Sequence, residues 1–356
     1  MVSENKRKKV LIIQSVIPHY RVPVFNELAK KVDLTVLYDK GSISTDAQFE
    51  TIKVDLVQIK HLPSIHKTNI LRLANEYDVV ISMLSGDFLT TYILCNSKRM
   101  SKLILWGIGV SAGYSVRYDS IPKMADKYSK FIRKADAALF YSSYPVEKYK
   151  ELGINPEKLF VANNTVKVLP CEEENRDSVL FVGSLYKGKK IFELLDNYKK
   201  AFERCSNVPR LIVVGDGEDS EEVALWVSRN NLQKEVILAG AIYDEKELSK
   251  YFSKAILCVS PDQAGLSVLK SFGYGVPFVT HKNAITGGER FNINHGENGL
   301  LIDSFDEIAD IICDCTNNKT RYLEMGRNAK DFYDNNRTVD NMVNGFVEAI
   351  DFVLKN

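Results

Sequence analysis

The feature that most constrains this chain is a rhythm of short apolar runs separated by helix-length stretches. "KVLIIQSV", "VDLTVLYD", "YDVVISML", "KLILWGIG" and "ADAALFYSS" are each strand-sized and rich in β-branched residues. Between several of them lie helical patterns such as "VPVFNELAKKV" and "PKMADKYSKFIRKA". Strands alternating with helices predict a parallel sheet covered on both faces. Near "LFVANNTVKVLPCEEENRDS" the pattern lapses and charge accumulates. It then restarts with "SVLFVGSL", a helix from about Ile191, "RLIVVGDGE", "EVILAGAI", "AILCVSPD", "VPFVTHKN" and "NGLLIDS". The expectation is an α/β protein of two doubly wound, Rossmann-like domains facing across a cleft, residues 1–168 and 169–335. A closing amphipathic helix at 336–356 is expected to pack back toward the first domain.

At 356 residues the chain has room for two such domains, and 45% hydrophobic with 26% charged residues suits a folded, soluble protein. No apolar run reaches the ~18 residues of a membrane span. The start, "ENKRKKVLIIQSVIPHY", resembles a signal peptide only until Gln14, Ser15 and Pro18 interrupt it; a first buried strand fits better. The six cysteines, at 95, 171, 205, 258, 313 and 315, show no zinc spacing and are expected to be reduced thiols of a cytoplasmic protein.

Charge divides the halves. Residues 1–168 carry 25 Lys/Arg and 16 Asp/Glu, net +9; residues 169–356 carry 22 and 30, net −8. A basic first half suggests an anionic partner, either a bilayer surface or a phosphate-bearing acceptor, although ordinary solvated lysines give the same count. The "KRKK" at 6–9 and the lysines of "PKMADKYSKFIRK" are the candidates for anionic lipid, each worth ~1 kcal/mol near such a surface. No nucleic-acid partner is expected.

A G-x-G-x-x-G is missing after the first strand, where "QSVIPHYRVPV" stands, so a nicotinamide enzyme is a weak reading. Four points in the second half instead suit a diphosphate. "VGSLYKGKK" ends a strand at Gly183 and places Lys189 near a helix start, where unpaired N–H groups also favour anions. An exposed lysine in a basic turn is the plainer alternative. "VVGDGE" turns on Gly215 and Gly217, which allow close approach. In "PDQAGLSVLKSFGYG", Gly265, Leu266 and Ser267 form a helix start, Lys270 follows one turn on, and Asp262 stands three residues before. Asp262 as a simple helix cap is the alternative there. "ITGGERFNINHGENGLL" supplies Glu289 and His295, the latter more a turn residue than a base.

Taken in order, "LFVGSLYKGKK", "LIVVGDGE", "SPDQAGLSVLKSFGYGVPFVT" and "GGE…HGENGLLID" resemble the nucleotide-sugar half of a family 4 glycosyltransferase. These are retaining enzymes of GT-B fold. "IPHYRVPVFNELAK", "LWGIG" and "KLFVANNTV" extend the resemblance over nearly the whole chain. It implies that Lys189 contacts the donor diphosphate and that Gly265, Leu266 and Ser267 receive phosphate through backbone N–H groups. It also implies that Ile242 reads the base and Asp262 contacts the donor sugar. Gly183, Ser184, Gly215, Lys270 and Glu289 complete the donor set, with Lys189 and Asp262 in catalytic roles. His19, Tyr20 and Arg21 become acceptor candidates, since a guanidinium there suits a phosphate or carboxylate.

Three positions depart from the family. Ser184 replaces the usual arginine, Lys270 the ribose-holding glutamate, and Ile108 a histidine. Losing one donor at a leaving diphosphate costs ~3 kcal/mol of barrier, unless another cation such as Lys270 reaches it. The implied function is transfer of a sugar, with retention, from a nucleotide diphosphate to a saccharide or lipid-linked saccharide in polysaccharide or glycoconjugate assembly. No cofactor or metal is expected, and the place is the cytoplasm, peripheral on the inner membrane face. An epimerase or hydrolase of the same fold is the first alternative, and a non-catalytic nucleotide-sugar binder the second.

Overall fold

The computed structural model describes residues 7–58, 63–113, 116–171 and 175–356. Lys6 of the basic start and the linker glutamates at 172–174 lie outside the described residues. Two compact units emerge. The first holds the described residues through Ser111, Asp119–Val166 and Thr338–Asn356; the second holds Ala112–Tyr118 and Lys167–Arg337.

In the first unit the strands are β1 (Lys9–Ile13), β2 (Asp33–Tyr38), β3 (Glu50–Lys53), β4 (Leu56–Val57), β5 (Ile65–His66), β6 (Val79–Met83), β7 (Lys102–Gly107), β8 (Ala137–Phe140) and β9 (Leu159–Val161). Its helices are α1 (Val22–Ala29), α2 (Ile70–Ala74), α3 (Leu89–Asn96), α4 (Pro122–Ile132) and α5 (Tyr144–Glu151). β4 and β5 form a small antiparallel ladder; the other seven strands make one parallel sheet in the order β3-β2-β1-β6-β7-β8-β9. The central strands are buried nearly throughout, as sheets covered on both faces require. β3 has no apolar run and was not legible as a strand; it is a mostly exposed edge paired with β2.

The second unit contains β10 (Ser178–Val182), α6 (Ile191–Arg204), β11 (Arg210–Val214), α7 (Ser220–Arg229), β12 (Val236–Gly240), α8 (Glu245–Lys254), β13 (Ala255–Val259), α9 (Leu266–Gly273), β14 (Phe278–His281), β15 (Gly299–Ile302), α10 (Glu307–Asn317) and α11 (Lys319–Asn336). Its parallel sheet runs β12-β11-β10-β13-β14-β15, the doubly wound order. One face packs Phe181, Tyr198 and Ile312 beneath α6 and α10; the other packs Phe252, Phe272 and Tyr333 beneath α8, α9 and α11.

The chain then returns to the first unit as α12 (Val339–Lys355), started by a reciprocal Thr338–Asn341 capping box. α12 lies against α1 and the sheet. Its Phe346 is fully buried, with its ring 4.7 Å edge-on from that of Trp106. Burying that one side chain stabilises the unit by about 2–3 kcal/mol.

Two expectations need correction. Cys205 and Cys313 are bonded, with Cα atoms 5.9 Å apart, rather than both reduced. α6 and α10 pack side by side and bring together residues 108 apart in sequence, a separation that carries no local signal. Cys95, Cys171, Cys258 and Cys315 are not disulfide-bonded. Second, Ala112–Tyr118 groups with the second unit, although it lies within 1–168. The Arg117 guanidinium donates to the Asn283 carbonyl, and the Tyr118 ring sits 5.0 Å edge-on from that of Phe291.

Candidate functional site

In a doubly wound sheet the order reverses between two neighbouring strands, and the loops leaving their carboxyl ends diverge to opposite faces. In the second unit that point lies between β10 and β13. The loop after β10 carries Gly183, Ser184 and Lys189; the loop after β13 carries Asp262, Gly265 and Ser267. Tyr186 bridges the two loops, its hydroxyl donating to Gln263 Oε1 at 2.8 Å.

Lys189 ends a 3₁₀ turn and is followed by Lys190 in the left-handed region (φ 56°), where a side chain costs about 1–2 kcal/mol. That reversal starts α6 and leaves Lys189 folded inward, 8% exposed, against Gly183. A Cβ at Gly183 would sit 3.1 Å from both Cε and Nζ of the lysine. Among the described residues no carboxylate pairs with the ammonium. Its nearby ionisable neighbour, the Cys258 thiol, is pushed up to about 12 by burial and so stays neutral. Burial pulls Lys189 down to about 8, against a smaller opposing effect of Cys258. A desolvated, unpaired ammonium is a prepared anion site.

Gly215 is fixed by packing. Its N–H donates to the Gly240 carbonyl at 2.8 Å, and a Cβ there would lie 1.9 Å from the Gly183 carbonyl oxygen. The backbones after β10 and β11 thus approach as only glycine permits.

α9 begins at Gly265 with no side-chain cap, so Asp262 does not cap it. An added Cβ at Gly265 would meet nothing within 4 Å, so the mouth of the helix is open. The first N–H groups of a helix lack intrahelical partners and favour anions. Two side-chain atoms beside this start, Ser267 Oγ and Asp262 Oδ1, are buried without a hydrogen-bond partner among the described residues. Asp262 Oδ2 lies 3.9 Å from Arg117 Nη2. Burial raises the Asp262 carboxyl above the usual range; Arg117, His281 and Lys190 oppose that shift.

The remaining sequence candidates are placed as follows. Ser184 is exposed and Ile242 half-buried behind β12. Lys270 binds the Glu245 carboxylate at the start of α8, so its charge is matched locally. Glu289 is buried, with Oε2 accepting from the Gly287 N–H at 3.0 Å, and so shapes its own turn. His295 Nδ1 accepts from the Leu301 N–H at 3.1 Å, a turn role. Arg117 and Glu245 carry no local signal, because each acts across a long separation.

In the first unit the reversal lies between β1 and β6, and His19, Tyr20 and Arg21 follow β1. His19 is exposed and its ring meets that of Tyr20 edge-on at 5.7 Å. Arg21 is 3% exposed. Its Nη2 donates to Asn164 Oδ1 and its Nη1 to Met342 Sδ, both at 3.0 Å. Its guanidinium carbon stands 5.3 Å from the rings of Tyr20, Trp106 and Tyr141. Ile108 is half-buried just beyond β7.

Two Rossmann-like units built this way constitute the GT-B fold. Residues 170–332, which contain the whole β10–β13 site, match the family model of glycosyl transferases group 1. No curated protein matches the chain significantly. A glycosyltransferase from Rickettsia africae ESF-5 is similar in structure, with TM-score 0.72 and 16% identity over 99% of this chain and 100% of its own. Anabaena Alr3699/HepE in complex with UDP gives 0.70 and 16% over 96% and 99%. The pneumococcal O-GlcNAc transferase GtfA, in complex with UDP and GlcNAc, gives 0.71 and 11% over 98% and 100%. At such identities the likeness is one of fold.

Proposed function

We propose that this protein is a retaining glycosyltransferase using a nucleotide-diphosphate sugar. The observation that supports it most is the buried Lys189 ammonium, without a carboxylate partner among the described residues, near the carboxyl end of β10. Negative charge develops on the leaving diphosphate, and a fixed cation with the α9 N–H groups stabilises it there. Ser267 Oγ and Asp262 Oδ1 are left to meet ligand atoms. In retention without a protein nucleophile, the acceptor hydroxyl attacks the anomeric carbon on the face the diphosphate leaves. The carbon–oxygen bond to phosphate breaks, and a phosphate oxygen takes the proton.

His19 and Tyr20 are the proposed saccharide contacts; the Arg21 guanidinium is already engaged inside the first unit. We assign the acceptor to the lipid-linked class from the exposed Lys123, Lys127 and Lys130 of α4, with Ile121 41% exposed at its start. Among the described residues no helix is long and apolar enough to cross a membrane. UDP is the first nucleotide to test, because it occupies the HepE and GtfA structures. At one hundred times its dissociation constant a ligand adds ~2.7 kcal/mol, which a melting curve resolves. A shift with UDP that is lost in Lys189→Ala, together with slow hydrolysis of a UDP-sugar, is the expected result. No shift with UDP, GDP, ADP or CMP would overturn the proposal.

A further inference from the structure

Position 184, where the resemblance implies a cation, carries an exposed serine, and the Lys270 ammonium is held by Glu245. A different cation stands beside Asp262. Arg117 belongs to the Ala112–Tyr118 segment, which joins β7 to α4 in sequence and clusters with the second unit. Its Nη1 is anchored on the Asn283 carbonyl, beyond the end of β14, and its Nη2 is 3.9 Å from Asp262 Oδ2. The neighbouring Tyr118 ring rests on Phe291, so the segment meets this unit at two points. Asp262 has 13% of its side chain exposed, and its other oxygen, Oδ1, is buried with no hydrogen-bond partner among the described residues. A carboxylate in that setting is costly unless a charge faces it and its free lone pairs are satisfied.

We propose that Arg117 is a positioning residue for the donor sugar, holding Asp262 as an oriented anion whose Oδ1 accepts a hydroxyl of the transferred sugar. Arg117 has this role only if the donor site is as proposed above. The charged groups facing Asp262 are Arg117 from the segment, His281 at the end of β14 and Lys190 at the start of α6. The Coulombic effect of each favours the anion, against the desolvation that opposes it. Removing Arg117 leaves desolvation less opposed, so the carboxyl must titrate at higher pH.

The test uses Arg117→Ala and Arg117→Lys in the full chain. Arg117 is 55% exposed on its side chain, so neither variant removes core packing. In the ligand-free protein the carboxyl ¹³C signal of Asp262 is identified by its loss in Asp262→Asn. Its titration midpoint is expected to rise by about one unit in the alanine variant and to return in the lysine variant. With UDP-glucose, kcat/KM for hydrolysis is expected to fall about tenfold in Arg117→Ala, while UDP alone binds within about twofold of wild type. An unmoved titration overturns the inference whatever the donor. Equal weakening of UDP and UDP-glucose overturns it too, making Arg117 a phosphate contact. A titration that moves in a protein binding no nucleotide diphosphate removes the donor function itself, and the sugar role with it.

Discussion

Lys270 and Glu245 form an ion pair between the second turn of α9 and the first turn of α8, with 14% and 26% of their side chains exposed. The second carboxylate oxygen of Glu245 accepts from the Tyr274 hydroxyl at 2.7 Å, and Tyr274 in turn accepts from the Leu169 N–H at 3.2 Å. The lysine at a position where the resemblance implies a carboxylate therefore does not stand alone; a carboxylate has come to it from 25 residues earlier.

That pair sets the first prediction. Glu245→Gln leaves a poorly solvated ammonium, and the expected loss is about 1–3 kcal/mol, less than for fully buried pairs because both groups keep some water. Lys270→Met in the same background should recover most of it. Urea melts of the two single variants and the double variant measure the coupling. Simple addition of the two single effects would mean that the pair contributes nothing.

Lys189 gives a pH dependence of two opposite signs. Its folded-state value of about 8 lies below the ordinary 10.5, so folding disfavours the ammonium. Below pH 8 the unliganded protein bears that cost in full, about 3 kcal/mol, and its stability rises as pH climbs from 8 toward 10.5. A bound diphosphate prefers the ammonium, so UDP affinity should fall as pH rises through about 8. Calorimetric titration at pH 6.5 to 9.5 would display this limb. A Lys189→Met variant should bind weakly and lack the limb; the same limb in that variant would assign it to another group.

Gly215→Ala tests the close approach of the loops after β10 and β11. With a Cβ 1.9 Å from the Gly183 carbonyl oxygen, the backbone has to move rather than a side chain. The expected cost is about 1–3 kcal/mol, with a larger fractional loss of UDP binding, because Gly183 also makes room for Lys189. Thermal melts with and without UDP separate the two effects. A variant of unchanged stability and affinity would show that the contact is not needed.

All six strands of the second sheet were legible because each carries a short apolar run; β10 and β13 at the centre are buried nearly throughout, while the edge strand β12 is mostly exposed. Lys189, Asp262 and Ser267 were legible as candidates because each lies in the loop or helix start that follows a strand, close to a glycine. β3 was not, since an exposed edge strand such as "ETIK" needs only a partner, not an apolar pattern. Arg117 and Glu245 were not, because a charge acting across 145 or 25 residues leaves nothing in its own neighbourhood. The Cys205–Cys313 bond was hidden for the same reason.

The return of the chain as α12 has a consequence for synthesis. Phe346, Ile350 and Val353 complete the core around Trp106, and they are made only after the whole of Lys167–Arg337. Domains usually fold as they leave the ribosome, first-made first. Here the first unit cannot close until α12 has been made, whereas Lys167–Arg337 is one uninterrupted length that is finished before it. A premature stop just short of α12 would spare that length and undo the earlier one. By the same logic Lys167–Arg337, together with the Ala112–Tyr118 segment that groups with it, is the cassette to exchange between relatives.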